Sequence, residues 1–238
     1  MTHTTGTQIN EIADKIYRIH TPVPDLPGGF SFNQYLVLDD EPLLFHTGGR
    51  QLFPAVRDAI AKAVDPAKLR WIAFSHVESD ECGSLNEFLA VAPQATALCS
   101  MTAAMVSVAD LADRAPRPMT DGEELSTGQR SFRWLDAPHV PHAWENGFLF
   151  ETSTRTLFCG DLFTQPGAQT PALTEGDIVG TSDAFRKAMD YWAYTPATLE
   201  TLERLASTEP KILACMHGSA FAGDGAKALR ELGNSLGI

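Results

Sequence analysis

The sequence predicts a single α/β domain across residues 1–238, arranged as a sandwich of sheets and helices. Strand-like and helix-like segments alternate between residues 42 and 100, as they do where a sheet is parallel. Between residues 131 and 160, in contrast, three apolar runs follow one another at hairpin distance, which indicates antiparallel pairing. Because both kinds of pairing are expected, a mixed α/β sandwich fits better than a purely parallel, doubly wound sheet.

The strands are predicted from short apolar runs separated by turn residues. Runs of this length, bounded by Gly, Pro, Asp or Asn, favour buried strands over helices. In chain order they are KIYRIH (15–20), QYLVLDD (34–40), PLLFH (42–46), RWIAFS (70–75), TALCS (96–100), SFRWLDA (131–137), GFLFE (147–151), TLFCG (156–160) and KILACM (211–216).

Helices are predicted where apolar residues recur every three or four positions. Two such segments cover residues 53–64 and 195–207, and a terminal helix is expected over 223–237, with Asp224 as its cap. The segment from Leu162 to Asp183 is rich in Gly, Pro and Thr and shows little periodicity, so a long loop is expected there. Loops of that length in folded domains are often functional.

Composition restricts the class of partner. The formal net charge of −12 argues against nucleic acid or an anionic membrane, because either would require a basic surface. No apolar run approaches the roughly 20 residues of a membrane span, and the N-terminus lacks the pattern of a signal peptide. The cysteines form no CxxC pair, which favours free thiols in a reducing compartment. We therefore expect a soluble, cytoplasmic protein; a small-molecule substrate is compatible with this charge, which says nothing about small molecules.

One acidic stretch, FSHVESDECG at residues 74–83, directly follows a predicted strand. It contains His76, Glu78, Asp80 and Glu81, and the spacing of two between the first three lets an extended loop turn them toward one space. Taken alone, such a stretch is more often a solvated surface loop than a metal site.

Other predicted strand ends change this interpretation. His142, Asp161 and His217 each follow an apolar run closely, and sites assemble where strands end. Two divalent ions would bring four positive charges to match four carboxylates, and the three imidazoles would complete the ligand sets. Buried charge is tolerable when it coordinates metal.

The pattern His76-x-Glu78-x-Asp80-Glu81, followed by His142, Asp161 and His217, resembles the metal-binding pattern of the metallo-β-lactamase fold, over nearly the whole chain. Hydrolases of that superfamily usually show HxHxDH, whereas Glu78 here resembles the HxExDH motif of the diiron branch, the flavodiiron and oxygen-binding diiron proteins. The segments FNQYLVLDD, MDYWAY and CMHGSAF are similar to other parts of that branch. The resemblance implies a four-layer αββα sandwich.

The resemblance also implies a ligand set. It assigns His76, Glu78 and His142 to one metal ion, Asp80 and His217 to the other, and Asp161 to the bridge between them. Glu81 stands where the family often has His, so direct binding and binding through water both remain open for it; Asp161 and Glu81 are the expected catalytic positions. His142 is preferred to His139 because it precedes Asp161 by the family's interval of about nineteen residues.

Three further residues are expected near the ligands. His139 is placed behind them or near an open coordination position. His46 stands where the superfamily commonly has an Asp, and a supporting, hydrogen-bonded role is expected for it. Tyr191 matches a family tyrosine near the pocket, although the aromatic cluster around it also fits core packing.

The donor set decides the expected chemistry. Oxygen donors favour iron or manganese over zinc, and Glu78 adds negative charge that stabilises a higher oxidation state, so two iron ions are preferred, with zinc or manganese as alternatives. The leading hypothesis is a diiron protein that binds or reduces O₂ or NO, with a flavin or rubredoxin-type electron donor supplied by another protein. A binuclear hydrolase of esters, thioesters or lactams, and a non-enzymatic oxygen sensor, remain open. The residues leave the oligomeric state undecided, and a homo-oligomer is compatible with them.

Overall fold

The fold is that of a computed structural model, which describes residues 6–238. Its strands form two seven-stranded sheets. The first sheet has the spatial order β1 to β7; its strands are β1 (Gln8–Ala13), β2 (Ile16–Val23), β3 (Phe30–Val37), β4 (Leu43–Phe45), β5 (Trp71–Ala73), β6 (Thr96–Ser100) and β7 (Arg117–Met119). Strands β1 to β4 pair antiparallel, and β4 to β7 pair parallel.

The second sheet has the spatial order β12-β14-β13-β11-β10-β9-β8. Its strands are β8 (Glu124–Ser126), β9 (Ser131–Asp136), β10 (Gly147–Glu151), β11 (Thr156–Gly160), β12 (Leu173–Thr174), β13 (Ile212–Cys215) and β14 (Ala220–Ala222). Strands β8 to β11 pair antiparallel, which confirms the predicted hairpins, whereas β11 and β13 pair parallel.

Helices connect the strands. They are α1 (Phe53–Ile60), α2 (Ser79–Cys82), α3 (Leu85–Val91), α4 (Met101–Ala103), α5 (Ala109–Leu111), α6 (Ile178–Met189), α7 (Thr198–Ala206) and α8 (Gly225–Ser235). A π-helical turn at Ala104–Val108 joins α4 to α5, and 3₁₀ turns lie at Arg50–Leu52, Pro66–Lys68 and Asp161–Phe163. Among residues 6–238, no helix has both the length and the apolar character needed to cross a membrane.

Three apolar clusters hold four layers together. Between the two sheets, Tyr35 and Phe45 of the first sheet pack with Trp134 and Phe158 of the second. On the outer face of the first sheet, α1 and α3 cover a second cluster, and on the outer face of the second sheet α6, α7 and α8 cover a third. The predicted αββα sandwich is therefore confirmed.

All nine predicted strands are present, but the predicted loop at residues 162–183 is wrong in its second half. Helix α6 begins at Ile178, because the side chain of Asp177 accepts the backbone N–H of Gly180 over 2.8 Å and caps the first turn. A short strand, β12, also lies within the segment. The Gly and Thr residues that obscure the helical pattern therefore belong partly to a capped helix.

Candidate metal centre

The candidate ligands converge because several strands end at one edge of the sandwich. His76 and Glu78 follow β5, Asp161 directly follows β11, and His217 follows β13 by one residue. The two sheets are tied together at this edge, where the backbone N–H of Gly147 donates to the carbonyl of Ser75 over 2.9 Å. Residues far apart in the sequence are thereby brought to a single site.

The first group of potential ligands consists of His76, Glu78, His142 and Asp161, whose ligand atoms all lie within 4.8 Å of one another. Nε2 of His76 lies 3.0 Å from Nε2 of His142 and 3.1 Å from Oε2 of Glu78. Oδ2 of Asp161 lies 3.5 Å from Nε2 of His142. Two imidazole nitrogens and two carboxylates therefore face one small volume.

The second group consists of Asp80, Glu81 and His217, again within 4.8 Å. Nε2 of His217 lies 3.4 Å from Oδ2 of Asp80 and 3.2 Å from Oδ1 of Asp161. One oxygen of Asp161 thus faces the first group and its other oxygen faces the second. This is the position that a bridging carboxylate requires.

The turn that carries His217 is held by strands of the opposite sheet. Nδ1 of His217 donates to the carbonyl of Ser31 over 2.8 Å, which leaves Nε2 facing the site. The buried guanidinium of Arg18 donates to the carbonyl of Gly218 over 2.6 Å, and the side-chain amide of Asn33 donates to it over 2.8 Å. The orientation of this imidazole is therefore fixed from behind.

Gly160 lets the two sheets approach at the site. Its φ is +48° and its ψ is −128°, a combination that favours glycine. A Cβ atom there would lie 3.1 Å from Oγ of Ser75 and 3.3 Å from the ring of Phe148. The next residue is Asp161, so this close approach places its carboxylate between the two groups of potential ligands.

The pKa values of these carboxyl groups reflect burial and the closeness of other negative charges. Burial raises the pKa of Glu81 well above its usual range, and the charges of Asp161 and Asp80 raise it further. Burial also raises the pKa of Asp80. In contrast, hydrogen bonds to His142 and His76 lower the pKa of Glu78 to about 2. Ring protons of histidine therefore stabilise some of the carboxylates, while Glu81 lacks such support.

The pKa values of Asp161 and His217 are shifted in opposite directions because the two side chains stabilise each other's charge. Burial opposes ionisation of Asp161, yet contact with His217 and the charges of His76 and His142 hold its pKa below the ordinary value. Burial likewise opposes protonation of His217, but Asp161 and Asp80 raise its pKa above the ordinary value. The site thus stabilises positive charge at the positions where metal ions would lie.

The donor atoms fit a pair of cations. Both carboxylate oxygens of Glu81 and Oδ1 of Asp161 are buried and have no hydrogen-bond partner among the described residues. Such atoms are costly in a folded protein unless a cation or donor satisfies them. With four carboxylates and three imidazoles in the two groups, metal ions would satisfy them and offset the negative charge.

Of the three residues expected near the ligands, His46 and Tyr191 lie close to the two groups, and His139 lies outside them. His46 is buried behind His76, and burial holds its pKa well below the ordinary value. Tyr191 donates from its hydroxyl to the backbone carbonyl of Asp161 over 3.0 Å, and its ring packs against His142. His139 is exposed, and within residues 6–238 it belongs to neither ligand group.

An apolar wall beside the ligands was missed by sequence reasoning. A cavity of about 200 Å³ opens over the ligands and is also lined by Phe30, Phe185 and Met189. The ring of Phe30 lies 4.4 Å from the ring of His217 and stacks on Phe185 at 5.6 Å, measured between centroids. Phe30 lies two positions before the FNQY stretch, but Phe185 is 155 positions later, and no sequence signal connects the two.

Two relatives of known name were found at moderate identity. The chain is 28% identical over 208 residues to the rubredoxin-oxygen oxidoreductase of Megalodesulfovibrio gigas, a match that covers 83% of this chain and 50% of that protein. It is 26% identical over 148 residues to the nitric oxide reductase of Moorella thermoacetica, covering 61% and 37% respectively. The matches span half or less of the length of these relatives.

A solved structure supports the fold, and a family model shows the family. A flavo di-iron protein from Thermotoga maritima superposes with a TM-score of 0.85 at 20% identity, over 97% of this chain and 61% of that one, which supports the fold. The family model described as ODP family beta lactamase matches residues 30–218, a range that includes every candidate ligand. Since this match covers most of the chain and contains both ligand groups, the protein belongs to the ODP beta-lactamase family.

Proposed function

We propose that the protein is a non-haem diiron oxidoreductase that reduces O₂ or NO. The observation that carries this proposal is the bridging position of Asp161 between two ligand groups that together contain four carboxylates. Oxygen-rich sites with imidazoles suit iron better than soft, thiolate-rich sites do. When bound, two iron ions would supply electrons and Lewis acidity to the small oxidant.

The residues of the chain have distinct roles in this proposal. His76, Glu78 and His142 would hold one ion, and Asp80 and His217 would hold the other. Glu81 points into the second group and is proposed as a further ligand, directly or through water. Asp161 would join the two positions, and Tyr191 would keep it in place through the carbonyl that its hydroxyl contacts.

The small cavity over the ligands supports a small substrate. Its volume of about 200 Å³ is smaller than a typical pocket for an organic ligand, which is about 300–1,000 Å³. Phe30, Phe185 and Met189 form an apolar wall, which favours uncharged diatomic molecules. These residues therefore select by size and polarity.

The electron donor is proposed from the relatives. One of them is named for rubredoxin and others are diflavin flavoproteins, so a flavin or rubredoxin-type donor is the class we propose for this chain. A homo-oligomer in which donor and acceptor sites face each other would suit such transfer.

The proposal is tested by turnover of O₂ and of NO after anaerobic reduction of the protein. The iron-loaded protein is reduced with a rubredoxin and its reductase, and consumption of O₂ and of NO is followed with electrodes. We expect consumption of at least one oxidant in the wild type and its loss in Asp161→Asn, which keeps the size of the side chain but removes the bridging charge. The matched control is Asp183→Asn, a carboxylate whose ion pairs lie within α6. Equal rates in wild type and Asp161→Asn would contradict the proposal.

A second candidate is a binuclear hydrolase, and one observation favours it. A second cavity, of about 600 Å³, is lined by Asp80 together with Pro22, Phe32, Leu52 and Arg50. It is large enough for an organic ester, thioester or lactam. Turnover of such a panel by the zinc-loaded protein, lost in Asp161→Asn, would support hydrolysis, whereas turnover of O₂ or NO with no hydrolysis would exclude this candidate.

A further inference from the structure

A buried series of hydrogen bonds leads away from the candidate ligand His76. Its Nδ1 lies 3.0 Å from Oγ of Ser75, and that hydroxyl lies 3.0 Å from Nε2 of His46. All three side chains are at most 2% exposed, so water does not replace any member of the series. The series lies on the side of His76 that faces away from the other ligands.

The backbone determines the state of His46. The N–H of Ser75 donates to Nε2 of His46 over 3.3 Å. Because a backbone N–H only donates, this nitrogen carries a lone pair and no proton. The ring proton of neutral His46 therefore lies on Nδ1, which is 2.9 Å from Sδ of Met216. His46 is thus an uncharged ring with a fixed acceptor toward Ser75.

This fixed acceptor has a consequence for His76. When Nε2 of His76 binds a cation, the ring proton lies on Nδ1 and needs an acceptor. The hydroxyl of Ser75 lies 3.0 Å from this nitrogen and can accept the hydrogen bond from its N–H. To do so, the hydroxyl must direct its own hydrogen away from His76. Nε2 of His46 receives that hydrogen. Nε2 of His46 then accepts both the O–H and the backbone N–H of Ser75 with one lone pair, and the contact with the backbone N–H, at 3.3 Å, is the longer of the two.

We propose that Ser75 and His46 are positioning residues that fix the nitrogen which His76 presents to the metal centre. The inference rests on the proposed function insofar as His76 is a ligand. A carboxylate at position 46 would also accept the hydrogen bond, but it would add negative charge behind a centre that already has four carboxylates. Neutral His46 supplies the acceptor without that charge, and through Met216 it also contacts the turn that carries His217.

The first test removes the hydroxyl. The full-length chain is loaded with Zn²⁺, which is diamagnetic, and its affinity is measured by competition with a chelator. Ser75→Ala is expected to weaken binding of the first ion about 10–100-fold, the usual effect of losing such a partner. Long-range ¹H–¹⁵N correlation is expected to show a slowly exchanging Nδ1 proton on His76 in wild type and its fast exchange in Ser75→Ala. Ser182→Ala is the matched control, because that buried hydroxyl donates within α6.

The second test separates a positioning role from a merely structural one. His46→Gln places an amide oxygen near the position of Nε2, so it still reaches Ser75, whereas the shorter side chain of His46→Asn does not. Asn tolerates the positive φ of this position, +64°, better than Gln does. We therefore expect His46→Gln to be the less stable variant in thermal melts and yet the one that retains the affinity and the slow Nδ1 proton.

The outcomes distinguish the two proposals. If the wild type binds Zn²⁺ without any change in the ¹⁵N shifts of His76, then His76 is not a ligand, and both proposals fail. If the wild type binds Zn²⁺ through His76, but Ser75→Ala and His46→Asn keep its affinity within twofold and its slow Nδ1 proton, then only the positioning inference is overturned. Weakened binding in both variants, with rescue by His46→Gln, supports it.

Discussion

Substituting Gly160 by Ala tests whether the close approach of the two sheets places the bridging carboxylate. The backbone at φ +48° and ψ −128° strains any side chain, at a cost of about 1–3 kcal/mol. The new Cβ would also lie 3.1 Å from Oγ of Ser75 and 3.3 Å from the ring of Phe148, and such overpacking costs about 1–3 kcal/mol. Together these effects predict a loss of roughly 2–6 kcal/mol in the free energy of unfolding.

The same substitution is expected to weaken metal binding. The carbonyl of Gly160 accepts the backbone N–H of Met216 over 2.9 Å, so a shift at Gly160 moves both Asp161 and the turn that carries His217. The unfolding free energy is measured by urea denaturation of the metal-free protein, and the affinity by competition with a chelator. Both quantities should fall in Gly160→Ala.

Gly122→Ala is the matched control. Gly122 also has a positive φ, +77°, but an added Cβ would meet nothing within 4 Å. Only backbone strain of about 1–2 kcal/mol is then expected, with unchanged metal affinity. If Gly160→Ala costs no more than Gly122→Ala, or if it leaves metal affinity unchanged, the argument for close approach is refuted.

Three further predictions address stability. Burial opposes ionisation of Glu151, but hydrogen bonds from Ser153 and Thr154 lower its pKa. The contribution of this carboxylate to the free energy of unfolding is therefore present above the pKa of the unfolded state and is lost as pH falls through the pKa of the folded state. Glu151→Gln should lower the free energy of unfolding by about 1.5–3 kcal/mol at pH 7 and by less at low pH, as measured by urea denaturation at the two pH values. Equal losses at the two pH values would contradict this prediction. Arg18→Met should lower the free energy of unfolding by about 2–4 kcal/mol and weaken metal binding, because the guanidinium of Arg18 donates to the hydroxyl of Thr170 and to the carbonyl of Gly218. Wild-type metal affinity of this variant in chelator competition would contradict this prediction. Metal at about 100 times its Kd should add about 2.7 kcal/mol, or roughly 5–10 °C in Tm, and a melt unaffected by chelator would contradict metal linkage.

Sequence reasoning could predict which candidate ligands lie together because of where they stand in the chain. His76, Asp161 and His217 each follow an apolar strand, and the spacing of acidic residues after β5 carries the pattern that suggested metal. The sandwich was predictable for a similar reason, since the buried strands are continuous apolar runs. Strands β12 and β14 were missed because they contain only two and three residues and show no period of their own, whereas the three-residue strand β4 lies within a longer apolar run.

What could not be predicted depends on contacts between distant parts of the chain. The carbonyl of Ser31 that orients His217 is a backbone group, and every residue has one. The role of Ser75 depends on the ring of His46, 29 positions earlier, and on its left-handed backbone. The start of α6 was hidden because its cap, Asp177, stands in a stretch rich in Gly and Thr.

The central claim is that Asp161 and its neighbours hold two iron ions. The most direct measurement is the metal content of the protein purified without added metal from cells supplied with both iron and zinc, together with a Mössbauer spectrum of ⁵⁷Fe-labelled protein. We predict about two iron ions per chain with the spectrum of a coupled pair, and about one or fewer in Asp161→Asn. Two zinc ions per chain and no iron, or equal iron in the wild type and in Asp161→Asn, would contradict the claim.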